Sequence, residues 1–198
     1  MAERRVRAYV ALGANVGETR ATLAAAVRAL AALPGVTLVA VSRLYATRPV
    51  GVADQPEFLN AAVALDVPAG PDPETGALAL LIAMKQLESA FGRKERRRWG
   101  PRELDLDLLL FGQHEVLVER SDAVRSANPD RTGVQWLRVP HPSAGERLFV
   151  LAPLADIAAD VVPPGWDRTV EARRRERALK EGPDAVRPVG SWNGAGWS

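Results

Sequence analysis

The amino-acid sequence predicts an α+β fold, and three observations carry that prediction. Apolar residues alternate with others in short runs such as Val6, Ala8, Val10 and Leu12, the two-residue period of a strand. They recur at helical spacing in two longer stretches, through Leu23, Val27 and Leu30 and through Leu80, Met84, Leu87 and Phe91. Gly and Pro punctuate the chain between these stretches, so strands and helices are interspersed. A chain of 198 residues, 47% hydrophobic and 25% charged, accommodates one domain, or one domain with a tail.

Taken in order, Val6 to Leu12 reads as a strand that ends in the turn Gly13-Ala14-Asn15-Val16-Gly17. Thr19 is placed to cap the next helix, and Pro34-Gly35 ends it. Val36 to Tyr45 and Phe58 to Val67 are β-rich, whereas Ala46 to Glu57 contains Pro49, Gly51 and Pro56 and reads as a loop. Pro68, Gly70, Pro71 and Pro73 precede a second helix from about Glu74 to Phe91, with Gly92 as its stop. Arg93 to Arg102 is basic and interrupted by Gly100-Pro101, and Leu104 to Phe111 is a strand. The order βαββαβ is that of a ferredoxin-like core, an antiparallel sheet with helices on one face, with additional C-terminal elements after it.

Beyond Gly112, short strands are expected at Glu115 to Val118 and Val134 to Val139, with a polar insertion, Arg120 to Thr132, between them. Arg147 to Ala158 reads as a third helix with Pro153 in its interior. From Pro163 the chain is rich in Pro, Gly and Arg, and its end, GSWNGAGWS, has no strand or helix period. Residues 1–163 are therefore expected to form the domain and 164–198 a partly flexible extension.

Composition excludes several classes. Without cysteine there is no disulfide, thiolate metal site or cysteine nucleophile, which suits a reducing compartment. The N-terminus has no continuous apolar run of a secretory signal, and the longest apolar stretch, Ala77 to Met84, is too short to cross a bilayer. A cytoplasmic protein without membrane partners is expected. The net charge of +2 provides little whole-molecule attraction to nucleic acid.

Two basic clusters stand out, Arg93, Lys94, Arg96, Arg97, Arg98 and Arg102, and Arg173, Arg174, Arg175 and Arg177. An arginine cluster taken alone reads as a solvated face. The first cluster is distinguished by the strand immediately after it, where the period of two sends Asp105 and Asp107 to one face and the leucines to the other. Two such carboxylates lie roughly 7 Å apart, close enough to share divalent cations. Oxygen-only ligands favour Mg²⁺ over zinc, and metal beside arginine is the chemistry of polyphosphate. Phe58 and Asn60 share one face of their strand, an aromatic surface next to a carboxamide suited to a flat, amide-bearing heterocycle. His141, held between Pro140 and Pro142, sits on a rigid bend able to face an anion. There is no GxxxxGK[ST] loop, so an ATP site here is not a P-loop.

Together, LGANVG, DQPEFLNAAV, RWGPRELDLDLLLFG and VPH…RLFVLAPL, in this order and spacing, resemble the 6-hydroxymethyl-7,8-dihydropterin pyrophosphokinase family of folate biosynthesis. The resemblance runs from about Tyr9 to about Pro163 and implies a ferredoxin-like core that binds MgATP beside a pterin. It implies attack of the pterin hydroxymethyl oxygen on the β-phosphorus with release of AMP. By this resemblance Asp105 and Asp107 hold two Mg²⁺ ions and form the catalytic group together with Arg93 and Arg102. Arg98, Leu108, Arg138, His141 and Arg147 fall at the ATP site. Thr47, Val50, Gly51, Phe58, Asn60, Trp99 and Phe149 fall at the pterin, with the two phenylalanines sandwiching the ring. The implied partners are ATP and the pterin alcohol, taken by a monomer with no nucleic acid.

The sequence departs from the family pattern at Glu95, where a loop arginine is usual and Arg96 is the nearby substitute. It departs also at Lys85 in place of glutamine, Arg48 in place of proline, and Arg138 in place of a small polar residue. Glu88 matches. Two other readings of the residues are a different two-metal nucleotidyltransferase on a ferredoxin-like core and an RNA-binding module using the arginines. The first leaves Phe58, Asn60 and Trp99-Gly100-Pro101 unexplained, and the second sets two aspartates against phosphate.

Overall fold

The computed structural model describes residues 4–48, 55–93, 100–120, 133–182 and 184–198. Its centre is β1 (Arg5–Ala14), whose alternating Ala8, Val10, Leu12 and Ala14 are buried. β1 pairs with β4 (Phe58–Pro68) on one side and β5 (Asp105–Phe111) on the other. The sheet continues through β3 (Leu44–Thr47) to β8 (Val186–Gly190), in the order β5-β1-β4-β3-β8, and β2 (Thr37–Val41) also pairs with β4. All of these pairings are antiparallel.

The single β-rich run of the sequence is thus two strands. It divides at Ser42, whose backbone N–H donates to Ala62 O at 2.9 Å and whose hydroxyl accepts from Ala62 N at 2.8 Å. Both β2 and β3 line up on β4, and the break between them lets the chain change course without leaving Ala62 unpaired.

α1 (Thr19–Ala31) begins with Thr19 rather than being capped by it. Glu18 holds the cap position without a side-chain bond, and the Thr19 hydroxyl donates back to Gly17 O. α2 (Pro73–Ala90) has a true cap, Asp72, which accepts from Thr75 N at 2.7 Å, and Gly92 stands just past its end with a positive φ of 78°. α1 and α2 pack Leu23, Val27, Leu30, Ala77, Leu81 and Met84 against Val10, Leu12, Val63 and Leu106 in one core.

The expectation of helices on one face holds for α1 and α2 only. α3 (Leu148–Ala158) covers the opposite face, burying Leu151 and Leu154 against Tyr9, Ala64, Leu109 and Leu110. A helix this apolar needs a second sheet face to cover it, and β1, β4 and β5 are apolar on both sides over this part of the sheet. A ribbon of β6 (Val116–Glu119) and β7 (Trp136–Val139) joins β5 to α3, turning Val116, Leu137 and Val139 inward.

The C-terminal segment differs most from expectation. It forms α4 (Val170–Glu181), capped by Thr169, and then β8, which adds to the edge of β3. Its final turn, which has no period in the sequence, buries Trp197 to 5% exposure edge-on to Trp192. Among the described residues no helix is long and apolar enough to cross a membrane.

Candidate active site

One row of side chains crosses the α3 side of the sheet, beyond the part that α3 covers. Register pairs Tyr45 with Asn60, Asn60 with Gly13 and Gly13 with Asp105, while Ala11 pairs with Asp107 and Thr47 with Phe58. Directly paired residues point to one side of a sheet, so Thr47, Phe58, Asn60, Asp105 and Asp107 share this face. The centre of the row is low because Gly13 has no side chain. A Cβ there would lie 3.2 Å from Asn60 Oδ1.

At the aromatic end, Asn60 is buried and donates from Nδ2 to Thr47 Oγ1 at 2.9 Å. That bond occupies one donor and fixes the plane of the amide, leaving its remaining edge to face a ligand. Phe58 is half-buried beside it, and Phe149, in the first turn of α3, packs against the cluster of Tyr9, Leu109, Leu151 and Leu154 while Arg147 lies 5.7 Å over its ring.

The acidic end is tied to arginines. Arg102 donates to Asp105 Oδ2, and Arg93 Nη1 lies 2.9 Å from Asp105 Oδ1. Burial pushes the Asp105 carboxyl up, but Arg102, Arg93 and Lys85 outweigh it and hold the group below the usual carboxylate range. Arg93 also pairs with Glu88, which is 2% exposed. Glu88 in turn accepts from Leu106 N at 2.7 Å and from Lys85 at 2.8 Å, locking the helix to the strand between the two aspartates. Burial pushes the Glu88 carboxyl up, and Lys85 and Arg93 oppose that shift.

His141 reaches the site through a bulge. β1 shifts register on β5 between Tyr9 and Val10, which leaves Leu109 as the extra residue, and Leu109 O accepts from His141 N at 2.9 Å. His141 Nδ1 accepts from Ser143 N. Burial lowers the imidazole pKa, opposed by Asp107 and reinforced by Arg147 and Arg120.

Thus the structure brings Thr47, Phe58, Asn60, Arg93, Arg102, Asp105, Asp107 and His141 to one face, with Arg147 and Phe149 at its margin. The Leu108 side chain lies in the core with α1 and α2, which leaves its backbone for a ligand on the aspartate face. Arg138 stands on the exposed side of the ribbon, paired with Leu117. Val50, Gly51, Arg98 and Trp99, with Glu95 and Arg96, lie outside the described residues, as does nearly all of the Arg120–Thr132 insertion.

The sequence marks Asn15 only as a turn residue, yet it is buried and joins three segments. Its N–H donates to Arg102 O at 2.9 Å, its Oδ1 accepts from Arg102 N at 2.8 Å, and its Nδ2 donates to Gln55 Oε1 and Pro56 O at 3.2 Å. It falls within the LGANVG block of the family resemblance, but no local period announces its role. Glu88 is legible, because it stands four residues after Met84 on the apolar stripe of α2, where an unpaired carboxylate would be costly. The second basic cluster is internally paired: Glu171 accepts from Arg174 and Arg175, Arg173 reaches Asp167, and Arg177 donates to Glu146 O.

A metal ion fits this donor set in one particular way. Among the described residues no group of three or more His, Cys, Asp or Glu side chains forms a cage. Two carboxylates on one face, with the rest of the shell supplied by phosphate and water, is the manner in which Mg²⁺ is held with a nucleotide.

Residues 9–159 match the model of the 7,8-dihydro-6-hydroxymethylpterin-pyrophosphokinase (HPPK) family. The 2-amino-4-hydroxy-6-hydroxymethyldihydropteridine pyrophosphokinase of Pseudomonas aeruginosa is 44% identical over 80% of this chain and 84% of its own length. The enzyme of the same name from Methylorubrum extorquens is 42% identical over 92% of this chain and 98% of its own. Among solved structures, Plasmodium falciparum HPPK-DHPS with pteroate has a similar fold, with a TM-score of 0.72 at 13% identity over 100% of this chain. This chain spans 49% of that longer one. With the family model matched across both ends of the aspartate-bearing face, the chain belongs to the 7,8-dihydro-6-hydroxymethylpterin-pyrophosphokinase family.

Proposed function

We propose that this protein transfers pyrophosphate from MgATP to the hydroxymethyl group of 6-hydroxymethyl-7,8-dihydropterin, releasing AMP, in folate biosynthesis. The observation that carries this reading is the row Asn60-Gly13-Asp105, a carboxamide and a carboxylate facing each other across a glycine on one sheet face. At a strand spacing of about 4.8 Å the two ends are roughly 10 Å apart, the span over which a pterin ring and its hydroxymethyl arm reach a polyphosphate. We assign the chemistry to residues 1–163, consistent with the family match, and treat 164–198 as an appended element.

In this reading Asn60 and Thr47 read the amide edge of the pterin, and Phe58 and Phe149 hold its ring, with Val50, Gly51 and Trp99 completing the pocket. Asp105 and Asp107 would hold two Mg²⁺ ions, which when bound neutralise phosphate charge and align its oxygens. The hydroxymethyl oxygen forms a bond to the β-phosphorus as the bond from that phosphorus to the α,β-bridging oxygen breaks. AMP leaves with the bridging oxygen, and the hydroxyl proton passes to solvent. Arg93 and Arg102 contact the phosphate oxygens; because Glu88 and Asp105 already hold Arg93 in place, little reorganisation is needed when ATP binds. His141 contacts the nucleotide, with Arg98, Arg138, Arg147 and the Leu108 backbone. Positioning and charge neutralisation account for phosphoryl transfer without a strong general base.

We also read the core as ferredoxin-like, which the antiparallel order β5-β1-β4-β3 supports. We further read the protein as a cytoplasmic monomer. The internal pairing of the α4 arginines removes one ground for an RNA-binding role. The test is turnover of ATP to AMP with added hydroxymethyldihydropterin, in the protein and in Asp105→Asn and Asp107→Asn. We expect AMP and pterin pyrophosphate in equal amounts, and loss of at least about 10²-fold in each variant. AMP formed without pterin, or full turnover in both variants, would sink the assignment.

A further inference from the structure

We infer that Arg187, in the C-terminal strand, is a positioning residue for the pterin platform. β8 pairs Val186 with Thr47 and Arg187 with Ala46, so the tail is hydrogen-bonded to the strand that carries Thr47. On the other side of β3, Ala46 pairs with Leu59 and Thr47 with Phe58. Arg187 Nη2 reaches across this strand to Glu57, donating to Oε2 at 2.9 Å and Oε1 at 3.0 Å. Glu57 immediately precedes Phe58. The pair therefore clamps β8 to β4 at the point where the chain enters the platform, on the face opposite Phe58 and Asn60.

The far end of the tail is anchored independently. Trp197 Nε1 donates to Ser42 O at 2.8 Å, between β2 and β3, while Arg20 donates to Val189 O and Trp197 O and Arg28 to Ala195 O. β8 is thus a fixed support rather than a loose end, and a side chain projecting from it is held in register with β3. Both partners of the bridge are about half exposed, with side-chain accessibilities of 49% and 46%. An exposed pair contributes little to global stability. What this one does is restrict Glu57, and through it Phe58, whose β3 partner Thr47 directly follows the Ala46 that pairs with Arg187.

The inference rests on the pterin reading of Thr47, Phe58 and Asn60. Its consequence is selective: loosening the entry to β4 weakens the pterin and leaves ATP, held at the β5 end of the face, unaffected. The experiment is steady-state kinetics of the full chain carrying Arg187→Ala, Arg187→Lys, and the exchanged pair Glu57→Arg with Arg187→Glu, with Asn60→Ala alongside. We expect Arg187→Ala to raise the pterin KM about three- to five-fold, with the ATP KM, kcat and Tm unchanged. The exchanged pair and the lysine variant bring the pterin KM back towards that of the unmodified protein. An unchanged pterin KM in Arg187→Ala, equal rises in both KM values, or no recovery in the exchanged pair would overturn the inference. If Asn60→Ala also leaves the pterin KM unchanged, the pterin reading itself fails; if it raises KM while Arg187→Ala does not, only the brace does.

Discussion

Replacing Gly13 by alanine separates the requirements of the fold from those of the site. Gly13 is outside the left-handed region, so its backbone tolerates a side chain. Restricting the unfolded chain at such a position stabilises a protein by about 0.4–1 kcal/mol. The added methyl, however, points into the row between Asn60 and Asp105, with its Cβ 3.2 Å from Asn60 Oδ1. That is a few tenths of an ångström closer than ordinary carbon–oxygen packing. The amide cannot simply swing away, because its nitrogen is held 2.9 Å from Thr47 Oγ1. Moving the oxygen either strains that bond or misdirects the edge offered to the pterin.

A net hydrogen bond is worth about 1 kcal/mol, and a buried partner left unsatisfied costs about 1–3 kcal/mol. The expected loss of kcat/KM for the pterin is therefore about 10- to 100-fold. The assay is AMP release at varied pterin under saturating ATP, with Tm by calorimetry on the same preparation. We expect an unchanged or slightly raised Tm with the pterin term impaired and the ATP KM near its original value. A folded Gly13→Ala protein whose kcat/KM for the pterin stays within about two-fold of the original would refute the reasoning.

A different glycine should behave in the opposite sense. At Gly76, within α2, helix propensity alone predicts that alanine stabilises by about 1 kcal/mol. A Cβ there would lie 2.3 Å from Ala69 O and 3.0 Å from Phe111 Cζ, so we expect Gly76→Ala to destabilise by about 2 kcal/mol in urea unfolding. A stabilised variant would show that the turn before α2 yields easily. The tail has its own acid limit. Hydrogen bonds from Arg174 and Arg175 hold Glu171 at a pKa of about 2 against an ordinary 4.5. A depressed carboxyl contributes its full stability above pH 4.5 and loses it as pH falls towards 2, so amide exchange in α4 should quicken across that interval. Glu171→Gln should flatten the dependence, and equal pH profiles in both proteins would argue against the pairing.

Much of this was legible in the sequence because it depends on local period. Alternation alone placed Asp105 and Asp107 on one face of a strand and Phe58 and Asn60 on one face of another, and register kept both assignments. Helical spacing located α1, α2 and α3 to within a few residues. Punctuation by Gly92 and the Pro34-Gly35 pair marked helix ends for the same reason, since φ and the missing N–H are properties of single residues. The family resemblance supplied the pterin, which no spacing of carboxylates names.

Tertiary structure decided what depends on partners distant in the chain. GSWNGAGWS has no period, yet it is ordered because Arg20, Arg28 and Ser42 engage its backbone and Trp197 across more than 150 residues of sequence. β8 exists because β3 offers an unpaired edge. That Asp105 and Asn60 face each other comes from β1 lying between their strands with a glycine at the crossing point. A strand's period says which side chains share a face, but only the pairing of strands says which faces become one surface.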